Sequence, residues 1–150
     1  MGIKGDIQQK RFRNNYIKAM ANLLFTNSWM LDQIQRFVKT ENVSLQQYNM
    51  LRILRGSDVP LSTLQIRERM MDRMSDAGRI VNRLIAKKLV KKRGSQKDKR
   101  LVEISILPQG LEVLKRLDSR NIEFDKIFKN ITKKEAGQLS DLLDKLRNHQ

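Results

Sequence analysis

The stretch from Ser62 to Ile106 limits the fold more than any other, because its apolar period changes from helical to alternating within one short span. Ser62 and Gln65 have the spacing of a capping box, in which the hydroxyl takes an orphan helix amide and the glutamine reaches back. Leu61 and Ile66 flank it at the positions of a hydrophobic staple. Further on, Ala77, Ile80, Val81 and Leu84 recur at helical spacing, which buries one stripe and turns Asp76, Arg79, Asn82 and Arg83 the other way. After Leu89 and Val90 the period shortens. LVKKR and LVEISI flank GSQKDK, where Gly94, Ser95 and Asp98 are turn formers between two β-like runs. The expected order is helix, turn, helix, β-hairpin.

Charge is placed to match. The chain carries a formal +15. Residues 52–100 hold 15 Lys and Arg against 5 Asp and Glu, a net of +10, whereas residues 101–150 hold 9 against 8, a net of +1. A basic run by itself also reads as a solvated face. Concentrated on a helix-turn-helix with a hairpin wing, it points to a polyanion partner. In that reading Ser75 is placed to cap the second helix, leaving amides at its N-terminus for a phosphate. Asp76, Arg79, Asn82 and Arg83 form the offered face, since Arg and Asn make bidentate contacts with guanine and adenine edges. Gly78 is unusual inside a helix, where glycine costs about 1 kcal/mol relative to alanine. It reads equally as close approach of backbone to nucleic acid and as tolerated drift. Arg67, Arg69, Arg73, Lys87, Lys91, Lys92, Lys97 and Lys99 are the expected phosphate-neutralising cations, which position without reading sequence.

The segment MSDAGRIVNRLIAKKLVKKRGSQKDKRLVEISILPQG resembles the core of the MarR family of bacterial transcription regulators. The resemblance is carried by Arg83-Leu84 at the end of the second helix, Leu89-Val90 and Arg93 in the strand that follows, Asp98 with Arg100 in the wing, and Gly110 at the start of the next helix. Lys88 stands where the family usually has glycine, and a left-handed residue there is strained without it. Leu107-Pro108 stands where a threonine often caps the following helix. Proline is acceptable at a first helical position, where its missing amide would be an orphan. The resemblance implies a mainly α fold with a small β-hairpin wing: a winged helix-turn-helix lobe over residues 43–107, with dimerisation helices at 1–42 and 108–150. It also implies that Arg100 enters a minor groove, oriented by Asp98 and flanked by Lys97 and Lys99. Without family context, an Asp-x-Arg in a turn is an exposed ion pair worth under about 1 kcal/mol. The implied function is a homodimeric repressor on a pseudo-palindromic operator in double-stranded DNA, released by a small aromatic or anionic effector held between the lobe and the dimer helices.

The remaining chain suits that plan. From about Asp6 to Lys39 a stripe of Phe12, Tyr16, Ala19, Leu23, Asn27, Met30, Ile34 and Phe37 predicts one long helix. Leu24, Phe25, Trp29, Leu31 and Val38 widen the stripe, so this helix packs on two sides, one of them a second subunit; its aromatics could instead line a ligand cavity. Ser44 with Gln47 and Thr132 with Glu135 repeat the capping-box spacing, starting helices at Leu45 and after Thr132. Leu139, Leu142, Leu143 and Leu146 line one side of the last helix.

Several functions are disfavoured. The chain has no cysteine, which excludes disulfides, thiolate metal sites and cysteine redox switches, and its one histidine, His149, is next to the end. No Gly-rich phosphate loop, nucleophile elbow or metal-ligand cluster occurs, so neither an enzyme nor a bound cofactor or metal is expected. With no apolar signal region and no window near the roughly 20 apolar residues of a membrane helix, a cytoplasmic protein without a membrane partner is expected. Two other readings stay open. One is a basic RNA-binding or nucleoid-type protein without base readout; the other is a winged helix that binds protein.

Overall fold

The computed structural model describes residues 2–72, 74–95 and 101–148. In chain order these form α1 (Ile3–Asp6), α2 (Asn15–Lys39), α3 (Leu45–Arg55), β1 (Leu61–Ser62), α4 (Thr63–Arg69), α5 (Ala77–Ala86), β2 (Val90–Gly94), β3 (Val102–Ile106), α6 (Pro108–Asp118), α7 (Ile122–Asp125), a 3-10 turn (Lys126–Phe128) and α8 (Lys133–Arg147). The fold is mainly α with a small antiparallel sheet of order β1-β3-β2.

The capping boxes set three helix starts. At Ser44 and Gln47 the two reciprocal bonds are 3.1 Å each. At Ser62 and Gln65 they are 2.9 and 3.2 Å, and at Thr132 and Glu135 2.7 and 3.2 Å. The long first helix starts later than its stripe predicts. Its cap is Asn14, whose side chain accepts from the Ile17 amide at 3.0 Å. Before it, Gln8 adopts a left-handed φ of 54°, so the chain from Asp6 cannot run straight into α2 and Phe12 lies outside any helix.

One core runs through the winged lobe and continues into α6. Val38, Met50, Leu51, Leu61, Ile66, Leu84, Val90, Ile104, Leu114 and Leu117 are fully buried. Met70 is buried as well. β1 is a strand the sequence does not announce. Leu61 pairs with Ile104 across the ladder while its side chain enters the core. In the wing, β2 and β3 pair from Val90↔Ile106 to Gly94↔Val102, and the Ser95 amide donates to Leu101 O at 2.8 Å. Gly94 and Ser95 therefore extend the ladder instead of forming the turn. The expected turn residue Asp98 lies outside the described residues.

The C-terminal end of α5 shows how a lysine is accommodated at position 88. Leu89 N donates to Leu84 O at 3.0 Å and Lys88 N to Ile85 O at 2.9 Å, the paired bonds of a Schellman motif. That motif needs a left-handed residue at its penultimate position, and Lys88 supplies it with φ 58°. Burial of Leu84 and Leu89 beneath the turn holds it there. The strain of a side chain in this region is about 1 kcal/mol or somewhat more. Lys88→Gly is therefore expected to raise stability by about 1 kcal/mol, read as an increase in the urea midpoint at unchanged slope. A lower midpoint would show that the lysine makes a compensating contact.

Candidate nucleic-acid interface

α5 presents two unlike faces. Ala77, Val81 and Leu84 are buried, while Arg79, Asn82 and Arg83 are exposed. Among the described residues none of these three side chains has a hydrogen-bond or ion-pair partner, so their donors remain available. The helix N-terminus differs from expectation. The cap is Asp76, whose Oδ1 accepts from the Arg79 amide at 3.1 Å, and not Ser75. Ser75 lies one residue too early. Its hydroxyl donates to Asp72 Oδ2 at 2.7 Å, and Asp72 Oδ1 accepts from the Met74 amide at 3.0 Å. The Asp76 carboxylate thus occupies the place proposed for a phosphate oxygen, and its charge already complements the helix dipole. Among the described residues, Gly78 meets only Asp76 Oδ1, 3.5 Å from an added Cβ, an ordinary contact. Their packing does not require glycine there.

Around α5, Arg67, Arg69, Lys92 and Arg93 are exposed cations and Lys91 is half-buried. Lys87 turns inward, donating to Asn42 O and, at 3.0 Å, to Gln47 Oε1, so it is not the free phosphate contact its position in the run suggested. Arg73, Lys97, Asp98, Lys99 and Arg100 lie outside the described residues.

A cleft of about 1150 Å³ opens between α2, α3, the turn after α4, and the α6–α7 junction. Leu31, Ile34, Leu45 and Phe124 give it apolar walls, and Tyr48, Arg52 and Arg55 give it polar ones. The Arg52 guanidinium stands over the Tyr48 ring, 5.6 Å from its centroid. Burial pushes the Tyr48 phenol above its ordinary value of 10, outweighing the opposite pull of Arg52, so the hydroxyl stays a donor at neutral pH. Arg55 forms an ion pair with Asp118 across the cleft. No sequence pattern marks Tyr48 or Arg52 as cleft residues, because α3 and α7 meet only in the folded chain.

Away from the lobe, apolar side chains stay uncovered. On α2, Tyr16, Leu24, Phe25 and Trp29 are exposed; on α8, Leu139, Leu142 and Leu146 are exposed and no residue is buried. Among the described residues no group of His, Asp and Glu could hold a metal, and no helix is long and apolar enough to cross a membrane.

No family model matches this sequence, and neither does any curated protein. Solved structures do match along nearly the whole chain. The organohalide-sensing RdhR transcriptional regulator in its 2,4-dichlorophenol-bound form superposes with a TM-score of 0.82 at 20% identity, over 94% of this chain and 86% of that one. A mutant MarR from E. coli complexed with operator DNA gives 0.81 at 17% identity, over 92% and 99%. The fold is the MarR fold. A MarR family transcriptional regulator from Streptomyces coelicolor gives 0.78 at 22% identity, over 89% and 93%. The exposed polar face of α5, the wing and the uncovered helices α2 and α8 are thus elements of a MarR fold. The residues on them are this chain's own.

Proposed function

We propose that the protein is a MarR-family transcription regulator of the cytoplasm, a homodimeric repressor that binds a pseudo-palindromic operator. Residues 43–107 form the DNA-binding lobe, and 1–42 with 108–150 carry the dimer helices. The observation that carries this reading is the α5 face, where Arg79, Asn82 and Arg83 are exposed and, among the described residues, unpartnered on a helix anchored by Ala77, Val81 and Leu84. Such a face fits a major groove, with Arg and Asn as the base-reading side chains. The net +10 over residues 52–100 supplies the attraction that draws the lobe to phosphates. Support comes also from the structural neighbour solved on operator DNA.

Arg79→Ala is expected to remove base discrimination, costing about 1–3 kcal/mol per half-site on the preferred duplex and little on random DNA. Titrations of both duplexes at one salt concentration check this. Equal losses on the two would make Arg79 a phosphate contact. Resistance of the wild-type complex to excess random duplex separates this reading from a basic binder of RNA or DNA without base readout, which random duplex would strip away.

The cleft beside the lobe is the effector site in this reading. Its volume suits a small molecule. Its apolar walls, the Tyr48 hydroxyl and the Arg52 guanidinium fit a small aromatic or anionic effector, in keeping with the dichlorophenol-bound neighbour.

A further inference from the structure

The inward turn of Lys87 joins two parts of the molecule. Its ammonium, at the C-terminal end of α5, donates to the backbone carbonyl of Asn42 and to Gln47 Oε1. Asn42 closes the elbow between α2 and α3 in a left-handed conformation, φ 56°, with its amide on Lys39 O at 2.9 Å. Gln47 is only 5% exposed, and the oxygen that receives Lys87 also accepts the Ser44 amide at 3.1 Å in the α3 capping box. The same elbow is tied to the far end of α6. Arg116 Nε bonds Glu41 at 2.8 Å, and Arg120 bonds Thr40 Oγ1 at 2.8 Å. The elbow is therefore a fixed point shared by the long helix α2 and by α6, and Lys87 fastens the recognition helix to it.

We propose that Lys87 is a positioning residue that sets the angle of α5 against α2, and through it the separation of the two recognition helices in a dimer. Dimer spacing rests on the function proposed above; the α5–α2 angle within one chain does not. The apolar face of α5 leaves this angle underdetermined, because apolar contacts are not directional, whereas an ammonium shared by two fixed oxygens has few acceptable places. Removing the ammonium leaves no buried orphan, since Gln47 Oε1 keeps the Ser44 amide. The fold should survive the substitution.

Two measurements test this on the full-length chain. The protein has no cysteine, so Lys39→Cys and Asn82→Cys can carry a pair of spin labels on one chain diluted in unlabelled protein. The wild-type background should give one narrow distance between α2 and α5, Lys87→Met a broadened or shifted one, and Lys87→Arg a narrow one again. Identical distributions in all three would overturn the proposal whether or not the protein binds DNA. The second measurement, without labels, uses a duplex selected by the wild-type protein from a random library, and the same duplex with one base pair added to or removed from its centre. Lys87→Met should bind the selected duplex about tenfold more weakly, or roughly 1.4 kcal/mol. It should also lose most of its preference over the altered spacings, with the salt slope unchanged. A slope reduced by about one ion per site with spacing preference intact would make Lys87 a phosphate contact instead. Equal weakening at every spacing would reduce it to a stabilising residue, and both results reject the proposal. A wild-type protein that selects no duplex would count against the function proposed above, while the distance measurement still decides the role of Lys87.

Discussion

A chain ending at Ile131 is expected to be monomeric or insoluble and to lose tight operator binding. α8 has no buried residue, and Leu139, Leu142 and Leu146 remain 44%, 64% and 62% exposed. A helix of 15 residues is marginal in water without tertiary support, even with a capping box. Covering what remains exposed of these three leucines contributes about 1 kcal/mol each, roughly half of what full burial gives, and together with the exposed aromatics of α2 this suits α8 to the proposed dimer interface. Two half-sites are read tightly only by a linked pair of lobes. Leu142→Asp with Leu146→Asp tests the same idea more gently, because no α8 residue belongs to the core and the lobe should stay folded. Light scattering and operator titration give the answer: a soluble monomer that still binds tightly would sink the dimer reading.

Gly110→Ala should be among the most damaging single-methyl additions in the chain. A Cβ at Gly110 would lie 2.5 Å from the Leu89 carbonyl oxygen and 2.8 Å from Ile106 Cγ1. The carbonyl cannot step aside cheaply, because it accepts the Leu107 amide at 2.9 Å where β3 passes into α6. Either α6 shifts or that bond breaks. The expected cost is about 2–4 kcal/mol, or roughly 5–15 °C in melting temperature for a chain of this size. Gly78→Ala is the contrast. With an open site and a helical backbone it should gain about 0.5–1 kcal/mol, and it should weaken DNA binding only if backbone approaches DNA there. Calorimetric melting of the two variants checks both signs, and a Gly110→Ala protein as stable as wild type would contradict the geometry.

Local chemistry made part of this protein legible from sequence alone. Capping boxes at Ser44, Ser62 and Thr132 placed three helix starts, since both partners of each reciprocal bond lie within four residues. The apolar spacing in α5 separated Ala77, Val81 and Leu84 from Arg79, Asn82 and Arg83, because one helical period fixes both faces. The shift from helical to alternating period located the wing strands. Tertiary structure decided the rest. Ser75 and Asp76 are both fit to cap, and the backbone chose Asp76 while Asp72 took the serine hydroxyl. β1 exists because β3, some 40 residues later, offers Leu61 and Ser62 a ladder. Lys87 is one cation among many in the basic run until α3 brings Gln47 and the elbow carbonyl of Asn42 beside it. The cleft around Tyr48 and Arg52 appears only when α2, α3 and α7 converge. Bonds between residues four apart are written into local spacing. Bonds between residues 40 or more apart depend on where the whole chain has been carried, and no local period encodes that.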